Sequence, residues 1–231
     1  AVEGIRQMDG EGEITIISSE PWHTYSRPLI SYLIQGKTDE QKMKYRPDGF
    51  YEKMQCKTLL NRTAREIKPR QKIVVLEDGT EIPYDKLLVA TGSSPFVPPT
   101  EGIETVTSHF TFLSLEDANK LQQAITPASR VLIVGAGLIG LKCAEGIHKK
   151  TGSITVIDLA PRILSSILDE EGAQRVQQHI EKTGVRFLLS CSVKQYDGNK
   201  ALLSNGDILD FDILVMAVGV RPNIDLVKNA G

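Results

Sequence analysis

Between Arg130 and His148 the chain reads RVLIVGAGLIGLKCAEGIH. A run of apolar residues, the spacing Gly135-x-Gly137-x-x-Gly140 and a helix-forming stretch succeed one another without a break. Few folds accommodate that order, because each glycine answers a separate steric demand. Gly135 allows a tight turn, Gly137 lets a pyrophosphate approach the backbone, and Gly140 lets the helix pack against the strand. The N–H groups of the helix start, at Leu138 and Ile139, then face the phosphates. The segment predicts a buried parallel strand over 130–134 and a helix from about Leu138 to Lys150.

The residues beyond this helix strengthen a dinucleotide reading over that of a glycine-rich turn with an incidental acid. SITVID (153–158) is a second strand with Asp158 at its tip, about 20 residues beyond the loop, where a carboxylate accepts both ribose hydroxyls and repels a 2′-phosphate. NAD(H) is therefore favoured over NADP(H). Arg162 is the reservation, since a nearby arginine could accept that phosphate. A helix over 169–184 and a strand VRFLLS come next. Short strands around the Asp197-Gly198 and Asn205-Gly206 turns and a final apolar strand (DILVMAVG) complete the pattern. Strand–helix–strand–helix–strand predicts a doubly wound, three-layer α/β fold.

The bulk properties exclude several classes. A chain of 231 residues with 27 basic and 29 acidic side chains gives no electrostatic case for nucleic acid or an anionic membrane. Its longest apolar run, around Val131–Leu141, is short and broken by glycine, so no membrane span is expected. No signal peptide is visible. Cys56, Cys143 and Cys191 are odd in number and form no C-x-x-C pair, which argues against a structural disulfide or zinc cluster and suits a cytoplasmic location. The histidines at 23, 109, 148 and 179 show no metal-ligand spacing, so no metal is expected. Cys143 reads as a small core residue, and Trp22 and Tyr25 as packing groups.

The residues before the glycine loop form a second, similar half. GEITIISSE (12–20) is a strand ending in an acid, Glu20, preceded by what reads as the tail of a helix. KIVVLEDGTEIPYDKLLVATGSSP predicts a hairpin turning at Asp78-Gly79 and then a strand closing in Thr91-Gly92. DILVMAVGVRPN repeats that ending later in the chain, and SSPFVPPTEG (93–102) reads as a linker. Two such halves imply two nucleotide sites.

In this order, ATG, the Gly135 loop and AVGVRPN resemble the FAD- and NAD-binding pyridine nucleotide-disulfide oxidoreductase family over essentially the whole chain. The resemblance implies two Rossmann-like domains: an incomplete FAD-binding one (1–104 plus 218–231), and an NAD-binding one (105–217) inserted in it. It implies that Glu20 binds the adenosine ribose of FAD, that backbone near Ala64 meets its adenine, and that Thr91 and Gly92 pack against it. Gly219 would lie near the junction of nicotinamide and flavin. WHTYSRPLISYLIQG (22–36) carries no redox cysteine and is similar to rubredoxin reductases, ferredoxin reductases and the flavin module of NADH-dependent nitrite reductases. There the Arg-Pro segment, here Ser26, Arg27 and Pro28, runs beside the flavin.

Two positions depart from that branch. Many members carry a lysine after the serine matching Ser31, and a glutamate two residues after the last loop glycine; here these are Tyr32 and Lys142. Lys142 either stabilises negative charge on a flavin or is a helix-surface residue paired with Glu145. The implied activity is hydride transfer from NADH to FAD, then electron delivery to an acceptor such as a redox protein. The full-length protein is open to being a homodimer. By the resemblance the chain is truncated at both ends, lacking an FAD glycine loop before Ala1 and a later Gly-Asp strand. An NAD-binding module without turnover and a relative of NADH oxidases or disulfide reductases are the alternatives.

Overall fold

The glycine segment lies at the centre of a five-stranded parallel sheet. In the computed structural model, which describes residues 1–231, the strand order is Val185–Leu188, Ser153–Ile157, Arg130–Val134, Ile213–Met216, His109–Thr111. Every neighbouring pair is parallel. From Arg130–Val134 the chain steps outward through Ser153–Ile157 to Val185–Leu188, then returns on the other flank with Ile213–Met216. That reversal of direction is the switch point at which doubly wound sheets bind ligands. Both faces of the central strands are covered, which is why these two read as apolar runs: Val131, Leu132, Ile133 and all of Ile213–Met216 are buried.

Helix ends obey local chemistry. Ser114 caps Leu115–Ala124, its hydroxyl accepting from Asp117 N while the Asp117 carboxylate accepts from Ser114 N. Asp169 caps Glu170–Glu181 by accepting from Gly172 N at 2.8 Å. The helix after the glycine loop runs Leu138–Ile147 and has no side-chain cap. It stops short of Lys150, whose N–H turns back to the Ile147 carbonyl.

The chain divides into two compact units, Ala1–Ser26 with Met43–Gly92 and Pro222–Gly231, and Arg27–Lys42 with Ser93–Arg221. The second unit packs the parallel sheet on an antiparallel one of Val193–Asp197, Lys200–Leu203 and Ile208–Asp210. Tyr196, Ala201, Leu203 and Phe211 meet Leu132, Ile157, Leu214 and Met216 there, with the Tyr196 and Phe211 rings edge to face at 6.1 Å. In Arg27–Lys42, which belongs to this unit, Ile30, Ser31 and Ile34 are buried, and Gly146 lies beside the Ser31 backbone.

The first unit holds a parallel pair, Ile14–Ser18 beside Cys56–Leu60, and an antiparallel sheet of Ala64–Lys68, Ile73–Leu76 and Glu81–Pro83. Its core is small: Ile67, Val74 and Leu76, packed on by Ile17, Leu59, Ala64 and Leu226. The hairpin turn at Asp78-Gly79 is as expected, with Gly79 at φ +85°. The strand expected to close in Thr91-Gly92 is not formed: 87–92 is irregular, and Leu88 is 68 % exposed. Apolar β-formers make a strand only beside a ladder partner, and no strand runs next to them here. The linker-like stretch 93–102, by contrast, is partly ordered as a strand. Ser93–Pro95 pairs with Val220–Pro222, and the Arg221 guanidinium lies 3.8 Å over the Phe96 ring.

Burial pushes the Tyr196 phenol up to about 12. The folded form therefore holds a proton that the unfolded chain releases near pH 10, so this contribution to stability is complete below pH 10 and is lost as pH rises toward 12. Tyr196→Phe is expected to remove about 2 kcal/mol of the alkaline loss of stability between those limits. Denaturant unfolding at pH 8 and pH 11 checks it, and identical pH dependence in the two proteins would count against it.

Candidate coenzyme site at the glycine loop

The three loop glycines are required for different reasons. Gly135 sits at φ +114°, and a Cβ there would lie 2.3 Å from the Ala217 carbonyl oxygen. At Gly140 a Cβ would lie 1.9 Å from the Gly135 carbonyl oxygen, so this glycine is what lets helix and strand approach. Gly137 is extended, at φ −78° and ψ −176°, and a Cβ on it would meet nothing within 4 Å. Its face is open. Behind it the uncapped helix start presents the backbone N–H groups of Leu138, Ile139 and Gly140, which have no partner inside the helix.

Asp158 closes the other side. Its Oδ2 accepts from Ala136 N at 2.6 Å and its Oδ1 from Ala160 N at 2.8 Å. A carboxylate offers about four acceptor positions, so capacity remains for ribose hydroxyls. The open face, the free helix amides and this carboxylate fit NAD. The bond from Ala136 to Asp158 was not legible in the sequence, which only spaced the acid from the loop. Arg162 points elsewhere: its Nε is 3.3 Å from the Leu168 carbonyl and its Nη2 3.3 Å from that of Ser165.

Lys142 and Tyr32 come together. The Lys142 ammonium lies 4.4 Å from the Tyr32 ring centroid and 2.5 Å from Glu145 Oε2, so the pairing with Glu145 and the approach to Tyr32 coexist. Burial opposes the charge on Lys142, but the Glu145 hydrogen bond and its charge outweigh this and hold its pKa above the ordinary value. Burial likewise opposes the charge on Glu145, and the Lys142 hydrogen bond keeps its pKa below normal. Both partners stay ionised. The Ser31 hydroxyl next to Tyr32 is buried with no hydrogen-bond partner.

The remaining candidates are distributed over both units. Glu20, just past the strand Ile14–Ser18, accepts from the Tyr25 hydroxyl at 2.8 Å, a contact the sequence did not suggest. Its position at a strand end fits the ribose of FAD. Ser26 N donates to the Met43 carbonyl, Arg27 Nη1 to the Leu113 carbonyl, and Pro28 lies in the 3₁₀ turn Arg27–Leu29. Ala64 opens a strand, its side chain packed on the small core. Thr91 Oγ1 donates to the Asn223 carbonyl at 2.6 Å, Asn223 Nδ2 returns a bond to the Thr91 carbonyl, and Asn223 N donates to the Gly92 carbonyl. The ATG and RPN motifs thus lock to each other. Gly219, at φ +130°, accepts from Phe96 N.

Neither Cys143 nor Cys56 is poised as a thiolate. Cys143 is fully buried, which drives its pKa far above the ordinary range, and half-buried Cys56 is raised by the same cause.

The family model for pyridine nucleotide-disulphide oxidoreductases matches residues 1–231. The chain belongs to that family. It is 30 % identical over 235 residues to the NADH-dependent phenylglyoxylate dehydrogenase subunit epsilon of Aromatoleum evansii, covering 100 % of this chain and 56 % of that protein. With the rubredoxin-NAD(+) reductase of Pseudomonas putida it shares 30 % identity over 233 residues, 98 % of this chain and 60 % of the relative. The chain therefore spans little more than half the length of these relatives. The putidaredoxin reductase–putidaredoxin complex superposes with a TM-score of 0.90 at 23 % identity, over 99 % of this chain and 57 % of that one, a likeness of fold. The α/β architecture expected from the sequence is thus shared with known oxidoreductase structures. No helix is long and apolar enough to cross a membrane.

The glycine geometry makes a contrast. Gly140→Ala drives a methyl into the Gly135 carbonyl and is expected to cost about 2 kcal/mol or more, as overpacking does. Gly137→Ala, in open space at an ordinary backbone conformation, should stay within about 0.5 kcal/mol of the parent. Thermal unfolding of both variants checks the pair, and equal stabilities would show that the close approach is misplaced.

Proposed function

We propose that the protein is an FAD-dependent oxidoreductase that takes hydride from NADH and delivers electrons to a redox acceptor. The observation that carries this is the glycine loop itself: an open Gly137 face, an uncapped helix start and a bound carboxylate at the tip of the next strand. Family membership supports the pairing of NAD with FAD, and the names of two relatives specify NADH or NAD(+).

In this reading the N–H groups of Leu138, Ile139 and Gly140 hold the coenzyme pyrophosphate over Gly137, and Asp158 receives the adenosine ribose. Glu20, Thr91 and Gly92 serve the FAD, with Ser26, Arg27 and Pro28 along its ring, backbone near Ala64 at its adenine, and Gly219 at the nicotinamide end. When bound, the two cofactors supply the hydride transfer; the protein supplies orientation and charge. Lys142, kept protonated by Glu145 and lying over Tyr32, places a partly buried cation one turn beyond the phosphate loop, where it would stabilise negative charge on a flavin. The same residues suit delivery of electrons to a second protein, and the fully buried Cys143 thiol is unsuited to a thiol step.

Asp158 is expected to confer at least a tenfold preference for NADH over NADPH, about 1.4 kcal/mol. Calorimetric titration with each nucleotide measures it, and equal or tighter NADPH binding would refute the assignment. Gly137→Ala should weaken NADH by a comparable factor while leaving the melting temperature in place.

A further inference from the structure

The segment after Asp158 is tied to the glycine loop more closely than ribose recognition requires. Ala136, between Gly135 and Gly137, is held at both of its backbone groups. Its N–H donates to Asp158 Oδ2 at 2.6 Å, and its carbonyl accepts from Leu164 N at 3.0 Å. Leu164 makes that bond from φ +48°, a left-handed conformation that a leucine adopts only when its surroundings impose it. The Leu164 carbonyl in turn accepts from Ile167 N and Leu168 N, at 2.8 and 2.9 Å, and the neighbouring Ile163 is fully buried. One side chain spans this turn: Arg162 reaches the carbonyls of Ser165 and Leu168 at 3.3 Å each.

We propose that Arg162 is a positioning residue that locks the turn 163–168 as a clasp on the glycine loop, and so sets coenzyme affinity without regard to a 2′-phosphate. The proposal rests on the reading of the loop as the coenzyme site. The guanidinium carries five N–H donors and no acceptor, and its Nε–Nη2 edge already serves two carbonyls of its own turn. Receiving a 2′-phosphate bidentately through that edge would require releasing both. With the fork in place, Leu164 keeps its left-handed conformation, its N–H keeps the Ala136 carbonyl, and the face of Gly137 stays where a pyrophosphate needs it. An arginine four residues beyond the ribose acid thus strengthens binding of both coenzymes while leaving discrimination to Asp158.

The test uses the full-length protein with Arg162→Ala and Arg162→Lys. Three quantities are read: dissociation constants for NADH and NADPH, steady-state constants for NADH with a dye acceptor, and amide hydrogen exchange without nucleotide. Both variants should lose at least fivefold in affinity for NADH and for NADPH alike, leaving their ratio within twofold of the parent. Lysine should not rescue, since its single nitrogen lacks the rigid planar fork that places separate donors on the Ser165 and Leu168 carbonyls. KM for NADH should rise with kcat within twofold of the parent. Exchange at Ala136 and Leu164 should quicken while that of 200–203 stays unchanged. Loss of NADPH binding alone, or its selective rescue by lysine, would overturn the proposal and make Arg162 a phosphate receptor. Unchanged exchange at Ala136 and Leu164, or exchange quickened throughout the chain, would overturn it too. If the parent binds neither nucleotide, the coenzyme reading itself has failed, and exchange at those two amides still decides the clasp.

Discussion

The approach of the Leu138–Ile147 helix to the sheet, through two places where a side chain is missing, is the contact on which the rest of the second unit depends. A methyl at Gly140 would strike the Gly135 carbonyl, and one at Gly135 would strike the Ala217 carbonyl. With both absent, the loop lies flat on the ends of Arg130–Val134 and Ile213–Met216, the two strands that flank the reversal of sheet order. The helix start is thereby aimed at the one place where a doubly wound sheet leaves a crevice. Replacing either glycine would shift the helix outward and carry the free amides with it. The open face at Gly137 has value only because the other two glycines are closed.

An acid beside an anion cradle looks self-defeating, and the hydrogen bonds explain why it is not. At an effective dielectric of 20, two unit charges about 4 Å apart interact by roughly 4 kcal/mol, enough to expel a phosphate. Asp158, however, takes two backbone N–H groups, one from the loop itself, so part of its field is spent on orienting Ala136. In the proposed site a pyrophosphate would meet the helix amides of Leu138, Ile139 and Gly140. A 2′-phosphate, attached to the ribose at Asp158, would meet the carboxylate directly. Structural support and discrimination are then two consequences of one side chain.

Much of this was legible in the sequence, for identifiable reasons. Strands buried on both faces are largely apolar, so the stretches 131–134, 154–157 and 213–216 announce themselves, and glycines and Asp-Gly turns mark their limits. The acid at 158 is legible because chain spacing alone sets it at the tip of a strand. The tertiary contacts were not. Thr91 meets Asn223 across 132 positions, Tyr25 reaches Glu20 from a loop, and Arg162 turns toward two carbonyls of its own segment that no motif names. The apolar stretch 87–91 misled in the opposite direction: its composition is that of a strand, but a ladder is a property of two segments, and local propensity cannot supply the second.

The exchange at Tyr32 and Lys142 shows how a charge can change address without leaving a site. Relative to the pattern the family resemblance implies, the cation has moved from the 22–36 segment to the glycine-loop helix, and the position it vacated now carries a phenol ring. Burial on that half-exposed surface opposes the lysine charge. Glu145, one helical turn on, outweighs it, and the Tyr32 face adds a further attraction at 4.4 Å. Because Lys142 and Glu145 share a helix of ten residues, their geometry is set by the same backbone that follows the glycine loop. The cation is therefore positioned by the rigid part of the unit instead of by a long loop. An electrostatic effect on a cofactor depends more on such fixed placement than on which wall of the site the charge occupies.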